Sequence, residues 1–132
     1  PYHSPASTVF RFEDTDDETG VTYKIALHGG LGVYTEDMLK QKGYPVEWKQ
    51  KFIDFATDAA TWDVDITLAS HENQTNFHSG ANFENPSDYS GFVDKTVWGN
   101  LMNAKKRDVI LDRQGIDPKT GKTIVYERDG KW

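Results

Sequence analysis

The histidines are the side chains of this chain best suited to metal chemistry, and two of the four stand at informative positions. His71 comes two positions after the end of residues 63–69, whose apolar side chains alternate as in a buried strand. Ligands of α/β folds commonly bind beyond the carboxyl ends of strands. His3 stands in a proline-flanked turn just before the first predicted strand. Because histidine is the commonest metal ligand and zinc sites gather ligands from separate segments, we interpret His3 and His71 as candidate zinc ligands.

Two histidines do not complete a catalytic zinc site, because such sites usually have three protein ligands. The chain has no cysteine, which excludes thiolate zinc sites, disulfide bonds and cysteine nucleophiles. A plainer interpretation stands beside the metal one, in which each histidine is a surface or capping residue. The positions of the histidines alone leave both interpretations open.

The elements between the two histidines are predicted from short-range patterns. Residues 8–27 predict a β-hairpin, because β-branched and aromatic residues stand on both sides of an acidic turn. Thr35 is the predicted N-cap of a short helix. A second helix is predicted over residues 46–60, with an apolar stripe on one face and Lys49 among the residues expected to face water.

After His71 the pattern changes to a loop and then to a long helix. Residues 72–88 are rich in Asn, Ser and Gly and predict a loop, and residues 92–112 have near-helical apolar spacing. Residues 117–126 predict a turn followed by a short strand. The predicted order is therefore β-β-α-α-β-α with a tail, an α/β layer arrangement. A sheet with so few strands is expected to keep one face uncovered.

Composition narrows the class of protein. The chain has 132 residues, enough for one domain, and a net charge of −6, which disfavours sequence-independent binding of nucleic acid. Only 36% of residues are apolar, yet 13% are aromatic, and the mean hydropathy is −0.71. No apolar run is long enough for a membrane span, and the first residues lack the pattern of a signal peptide. The compartment stays open, a secreted or periplasmic location included. Such a hydrophilic but aromatic-rich composition fits a small core or a core shared with a partner.

Short motifs in a fixed order resemble the second half of the metallo-β-lactamase superfamily. Tyr2-His3-Ser4-Pro5-Ala6-Ser7 resembles the family motif Gly-His-Thr-Pro-Gly-Ser/Thr, which leads into a pair of strands. Residues 23–32, which contain His28-Gly29-Gly30-Leu31-Gly32, resemble the second strand and its metal-proximal loop. Residues 65–71 resemble a later strand that ends in a histidine. Each motif is short, and their shared order carries the resemblance.

The resemblance implies an α/β fold, specifically half of the αββα sandwich of this family, with zinc between the strand ends. By position, His3 resembles the third ligand of the first zinc, and His71 resembles the terminal histidine ligand of the second. The family usually has a bridging Asp, Cys or Ser where this chain has Gly29-Gly30, so the number of zinc ions, one or two, stays open. His28 is a candidate substitute ligand or pocket residue.

The resemblance also implies that other parts of the site lie outside this chain. The family's first-half signature, His-x-His-x-Asp-His, does not occur in the sequence. We therefore expect residues 1–112 to be the C-terminal half of a metallo-β-lactamase-like domain and residues 113–132 to be a hairpin-like extension. An N-terminal half or a partner chain would supply the remaining ligands. The complete protein would be a zinc-dependent hydrolase of a small-molecule substrate, such as a β-lactam amide, and this chain alone would be inactive.

Two other functions compete with the hydrolase. The aromatic residues could form a face that binds a glycan or a peptide, although Trp62 and Trp98 stand in patterns typical of core residues. The chain could instead be a half-domain that associates with a partner or with itself through an uncovered sheet face. Trp48, Trp132 and the six tyrosines are the other aromatic residues that could form the binding face.

Overall fold

A three-stranded sheet carries the fold in the computed structural model, which describes residues 8–31 and 34–123. The strands are β1 (Val9–Thr15), β2 (Thr22–His28) and β3 (Ile66–Ala69), in the spatial order β1-β2-β3. β1 and β2 are antiparallel, whereas β2 and β3 are parallel. The carboxyl ends of β2 and β3 therefore lie at the same edge of the sheet.

The predicted hairpin is confirmed, with a shorter turn than the acidic run suggested. Phe12 pairs with Ile25 across the antiparallel ladder, which continues to Thr15 and Thr22. The turn is closed by Asp16, whose side chain accepts hydrogen bonds from the backbone N–H groups of Glu18 and Thr19 at 2.8 and 3.0 Å. Such aspartate turns satisfy the backbone locally and need no metal ion.

The described residues form four α-helices, three of which were predicted from local signals. α1 (Glu36–Gln41) begins as predicted at Thr35, whose hydroxyl accepts a hydrogen bond from the Met38 N–H at 3.3 Å. The others are α2 (Trp48–Ala59), α3 (Phe77–Gly80) and α4 (Thr96–Arg113). The predicted loop at 72–88 is interrupted by the short α3 and by a 3-10 turn at Glu72–Gln74, and a second such turn spans Ser90–Phe92. The sequence therefore predicted α1, α2 and α4 and missed α3 and the two 3-10 turns.

α2 and α4 pack against each other over one face of the sheet and form the core. Their side chains meet Ala26 of β2, and Trp98 of α4 is fully buried. The Trp98 ring stacks on Trp62 with centroids 5.7 Å apart, and its indole N–H donates to the Ala59 carbonyl at 2.8 Å. Both tryptophans are thus structural, as their sequence positions indicated.

The expectation that Lys49 faces water is wrong. Its side chain is only 2% exposed and forms an ion pair with Asp112 of α4. Lys49 lies on the same helical stripe as Phe52 and Ala56, at spacings of three and seven residues, and this stripe faces α4. The long aliphatic part of lysine packs well there, and its charge requires the carboxylate on the neighbouring helix.

The opposite face of the sheet is apolar and open within the described part of the chain, as the low strand number predicted. Because side chains alternate along a strand, one set of cross-strand partners shares this face: Phe10 with Leu27, Phe12 with Ile25, and then Ile66 and Leu68 of β3. Phe10 is 57% exposed, Phe12 45% and Leu68 38%. We call these six residues the open face.

Residues 72–93 cross one end of the open face as a strap. Tyr89 anchors the strap to the hairpin turn, because its hydroxyl donates to the Asp16 carboxylate. At the other side, Val93 forms an isolated antiparallel bridge with Ile66 on the free edge of β3. The strap therefore covers that edge, where Ile66 is buried, while Phe10, Phe12 and Leu68 of the open face stay exposed.

The tail begins as predicted with a turn after α4. The Asp117 N–H donates to the Lys122 carbonyl at 2.8 Å, and Ile116 forms an antiparallel bridge with Thr123. The remainder of the predicted strand lies outside the described residues, and the division into residues 1–112 and 113–132 stays a prediction. Among the described residues, no helix combines the length and apolar character that crossing a membrane requires.

Candidate functional site

The candidate site lies at the edge of the sheet where β2 and β3 end. His71 comes two residues after β3, with an exposed side chain and an extended backbone, and directly precedes the 3-10 turn at Glu72–Gln74. The Gln74 N–H donates to the His71 carbonyl at 3.1 Å, which closes that turn. The strand end thus presents the His71 imidazole to solvent at the edge where the sequence predicted a ligand.

His28 ends β2 at the same edge and is fully buried. Its Nε2 lies 3.2 Å from the Gln74 carbonyl oxygen, so Nε2 carries the proton, since a carbonyl can only accept. Nδ1 has no hydrogen-bond partner among the described residues. The ring lies 6.3 Å from that of Trp98, beneath the helix layer.

The electrostatics of His28 favour the neutral imidazole. Burial lowers the pKa of His28, and the positive charges of Lys105 and of protonated His71 lower it further, while the Gln74 carbonyl acts in the opposite direction. A neutral imidazole is the form that binds metal ions, but His28 is buried under the sheet edge rather than exposed like His71. His28 is thus a buried residue behind the sheet edge, and its roles as a substitute ligand or a pocket residue both stay predictions.

Gly30 shapes the loop between the site and α1. Its φ of 140° is a backbone conformation that residues with a side chain rarely adopt, so glycine is required there. The preceding Gly29 N–H donates to the Thr8 carbonyl at 3.3 Å and so joins this loop to the start of β1. Gly29 and Gly30 therefore contribute backbone conformation and a backbone hydrogen bond, and no side-chain ligand.

The residues that the structure describes supply part of a metal site at most. Within 8–31 and 34–123, no three or more His, Asp or Glu side chains come together in a group that could hold a metal ion. His71 is exposed, and His78 pairs with Glu72 on the strap at 3.5 Å. His3, the other predicted ligand, lies outside the described residues. The donor set that the structure places therefore fits one zinc ligand and needs others.

Two neighbouring cavities were not signalled by the sequence. One, of about 200 Å³, lies behind the loop after β2 and is lined by Lys49, Asp112, Lys105 and Asp108. Burial lowers the pKa of Lys49, and the carboxylates of Glu36 and Asp37 oppose this shift. The other, of about 520 Å³, lies between the open face and the strap and is lined mainly by apolar side chains. A sequence feature that could have pointed to the first cavity is Lys49, which shares the apolar stripe of α2 with Phe52 and Ala56.

Comparison with solved structures identifies the architecture. The metallo-β-lactamase GOB-18 from Elizabethkingia meningoseptica is similar over 86% of this chain and 42% of its own, with a TM-score of 0.69 and 19% identity. The class B3 di-zinc metallo-β-lactamase LRA-12 from an Alaskan soil metagenome is similar over 83% of this chain and 41% of its own, with a TM-score of 0.66 and 16% identity. The chain has part of the metallo-β-lactamase fold.

A third solved structure agrees with this result. The subclass B3 metallo-β-lactamase BJP-1 of Bradyrhizobium japonicum matches 86% of this chain and 41% of its own, with a TM-score of 0.64 and 15% identity. No family model matches the sequence, and no curated protein sequence is significantly similar to it. The chain spans about two-fifths of the length of these metallo-β-lactamases, as the resemblance of its motifs to half of that fold had implied.

Proposed function

We propose that this chain is one half of a zinc-dependent hydrolase of the metallo-β-lactamase type, completed by a companion half that packs on the open face. The companion is either another segment of the same polypeptide or a separate chain. The observation that carries the proposal is the open face itself, which is apolar on all three strands and lies beside the edge that presents His71.

An exposed apolar sheet favours a partner on energetic grounds. Burial of apolar surface contributes roughly 25 cal/mol per Å², and contiguous exposed apolar patches usually mark interaction sites. Phe10, Phe12 and Leu68 each remain more than a third exposed, although they share one face of the sheet, with Phe10 and Phe12 on β1 and Leu68 on β3 across the central strand β2. Two sheets that pack face to face bury such residues between them. The partner that fits best is therefore a second sheet with a matching apolar face.

The lengths of the similar structures support the same partner. Each of them matches most of this chain but leaves more than half of its own length unmatched. The family resemblance places the signature His-x-His-x-Asp-His in the unmatched half. A companion of this kind would bring additional zinc ligands to the sheet edge, where His71 and, by sequence, His3 would join them.

The residues of this chain would act by holding and shielding the metal. Zinc, when bound, supplies a Lewis acid that polarises a carbonyl group and lowers the pKa of bound water. The His71 imidazole is exposed at the strand end and is free to turn toward a metal. The buried ring of His28 and the tryptophans behind it exclude water from beneath the site. A small β-lactam is the substrate class that the named neighbours support.

Zinc titration of the full chain tests the ligand assignment. Isothermal calorimetry with zinc chloride should detect binding that His71→Ala weakens by about tenfold or more, since each ligand of a partial set matters. His3→Ala should have a similar effect, whereas His78→Ala, at the exposed histidine on the strap, should have none. Absence of zinc binding, or binding that His71→Ala leaves unchanged, would overturn the assignment.

Hydrolysis of a chromogenic β-lactam tests the incompleteness of the site. We expect the chain with zinc to hydrolyse it no faster than zinc alone, because too few ligands are present. Hydrolysis at an enzyme's ordinary rate, abolished by His71→Ala, would show that the chain needs no companion half. The aromatic binding module gains no support from the structure, since Trp62 and Trp98 belong to the core.

A further inference from the structure

We propose that His28 is a positioning residue that fixes the segment carrying His71 at the sheet edge. The proposal rests on the proposed function, because it gives His71 a role in zinc binding. It concerns a residue that the sequence offered only as a ligand or pocket residue. The geometry points to a third role, in which the backbone and the side chain of His28 hold opposite ends of one short segment.

The backbone of His28 holds the beginning of the segment. His28 lies opposite Ala69 in the parallel ladder between β2 and β3. Its carbonyl accepts a hydrogen bond from the Ser70 N–H at 3.2 Å, just before His71. The last rung of the ladder is therefore a contact between His28 and the residue that precedes the candidate ligand.

The side chain of His28 holds the end of the same segment. Its Nε2–H donates to the Gln74 carbonyl at 3.2 Å, after the chain has made the 3-10 turn. Gln74 also donates its own N–H to the His71 carbonyl, which ties the turn back to the ligand residue. One residue, His28, thus brackets residues 70–74 at both ends, with His71 between the two points of attachment.

The same residue adjoins the start of the first strand. His28 pairs with Val9 across the hairpin, and the N–H of the next residue, Gly29, donates to the Thr8 carbonyl. In the sequence, the segment with His3 leads directly into this point. His28 therefore lies between the end of β3, which His71 follows, and the start of β1, which in the sequence comes after His3.

Burial explains how His28 can serve as a rigid bracket. The ring is fully buried against Trp98, so it has few alternative rotamers. The buried Nδ1 of His28 has no hydrogen-bond partner among the described residues, and an apolar side chain at this position would avoid that cost. Among the described residues, the ring makes one hydrogen bond, to the Gln74 carbonyl, and a leucine could not make it.

Hydrogen exchange without zinc tests the bracket independently of the metal. In His28→Leu, amides of residues 70–76 should exchange about fivefold faster, the change expected for loss of one ordinary hydrogen bond. His28→Gln places a donor nitrogen near the position of Nε2 and should restore most of the protection. Thr67→Val is the matched control, because Thr67 is equally buried on the same sheet face and its hydroxyl has no partner among the described residues. Unchanged exchange in His28→Leu would overturn the proposal.

Zinc calorimetry then connects the bracket to the ligand. His28→Leu should weaken zinc binding by about tenfold, as removal of a residue that orients a ligand typically does. His28→Gln should recover it, Thr67→Val should leave it unchanged, and His28→Leu should add nothing in a His71→Ala background. If His71→Ala weakens zinc binding and His28→Leu does not, this inference fails while the proposed function stands. If His71→Ala has no effect, the proposed function fails, and the exchange experiment still decides whether the bracket exists.

Discussion

Lys49 of α2 and Asp112 of α4 form an ion pair enclosed between the two helices that cover the sheet. Their side chains are 2% and 11% exposed, so both charges are largely removed from water. Taking two charges out of water is costly, and the cost is met only while the partners remain together. The pair therefore fixes how α2 and α4 align more than it adds to the stability of the fold.

Removal of one partner should be strongly destabilising. Lys49→Met leaves the Asp112 carboxylate buried without its cation, and we expect a loss of about 3–5 kcal/mol in the free energy of unfolding. The double variant Lys49→Met/Asp112→Leu should recover most of that loss. Urea unfolding of the single and the double variant measures the loss and its recovery. The exposed pair Glu36–Lys40 is the control, since Lys40→Met should change stability by less than about 1 kcal/mol. A double variant as unstable as the single one would contradict this account.

The stability of the metal-free chain should fall as the solution is acidified from about pH 7 to pH 5. Burial lowers the pKa of His28 below its ordinary value of 6.5. In this pH range the imidazole therefore binds a proton in the unfolded chain but not in the folded chain. Stability is thus greatest above the unfolded pKa and declines below it, with a slope of at most about 1.4 kcal/mol per pH unit for one proton. Urea midpoints across this range should show the decline. It should be reduced in His28→Leu and retained in His78→Asn, a change at an exposed histidine.

Local signals predicted most of the fold. The hairpin, the Thr35 cap and the long helices are each predicted by a pattern of neighbouring residues, and the folded chain keeps these elements. The burial of Lys49 could not be predicted that way, because it depends on a carboxylate on a helix far along the chain. His71 was predictable from its place after a strand. Its bracket was missed because the partner of His28 is the backbone carbonyl of Gln74, a group that every residue carries.

The open face should make the isolated chain bind apolar dyes and self-associate. Phe12→Lys and Leu68→Lys place a charge on this face, the first on β1 and the second on β3, and should reduce both dye fluorescence and the sedimentation coefficient at high concentration. Because both side chains are already more than a third exposed, each variant should change stability by only about 1 kcal/mol.

A charge on the helix layer gives the matched control. Ala104→Lys alters an exposed position of α4, remote from the open face, and should leave dye binding and sedimentation unchanged. Equal effects of Phe12→Lys and Ala104→Lys would show that the apolar sheet is not the surface responsible. Loss of dye binding in Phe12→Lys alone would support a docking role for the open face.

The strap depends on two glycines where α3 crosses the 3-10 turn at Ser90–Phe92. A Cβ on Gly91 would lie 2.2 Å from the Gly80 carbonyl oxygen, and one on Gly80 would lie 2.7 Å from that of Gly91. Both contacts involve backbone, so Gly91→Ala must push the two segments apart, at a cost of about 1–3 kcal/mol. Limited proteolysis should then cleave within residues 77–93 sooner than in the parent chain. Gly29→Ala, whose Cβ would meet nothing closer than 3.8 Å, should leave the cleavage rate unchanged. A strap equally resistant in Gly91→Ala would mean that the crossing tolerates separation and that the Tyr89–Asp16 contact and the Val93–Ile66 bridge suffice to hold the strap on the sheet.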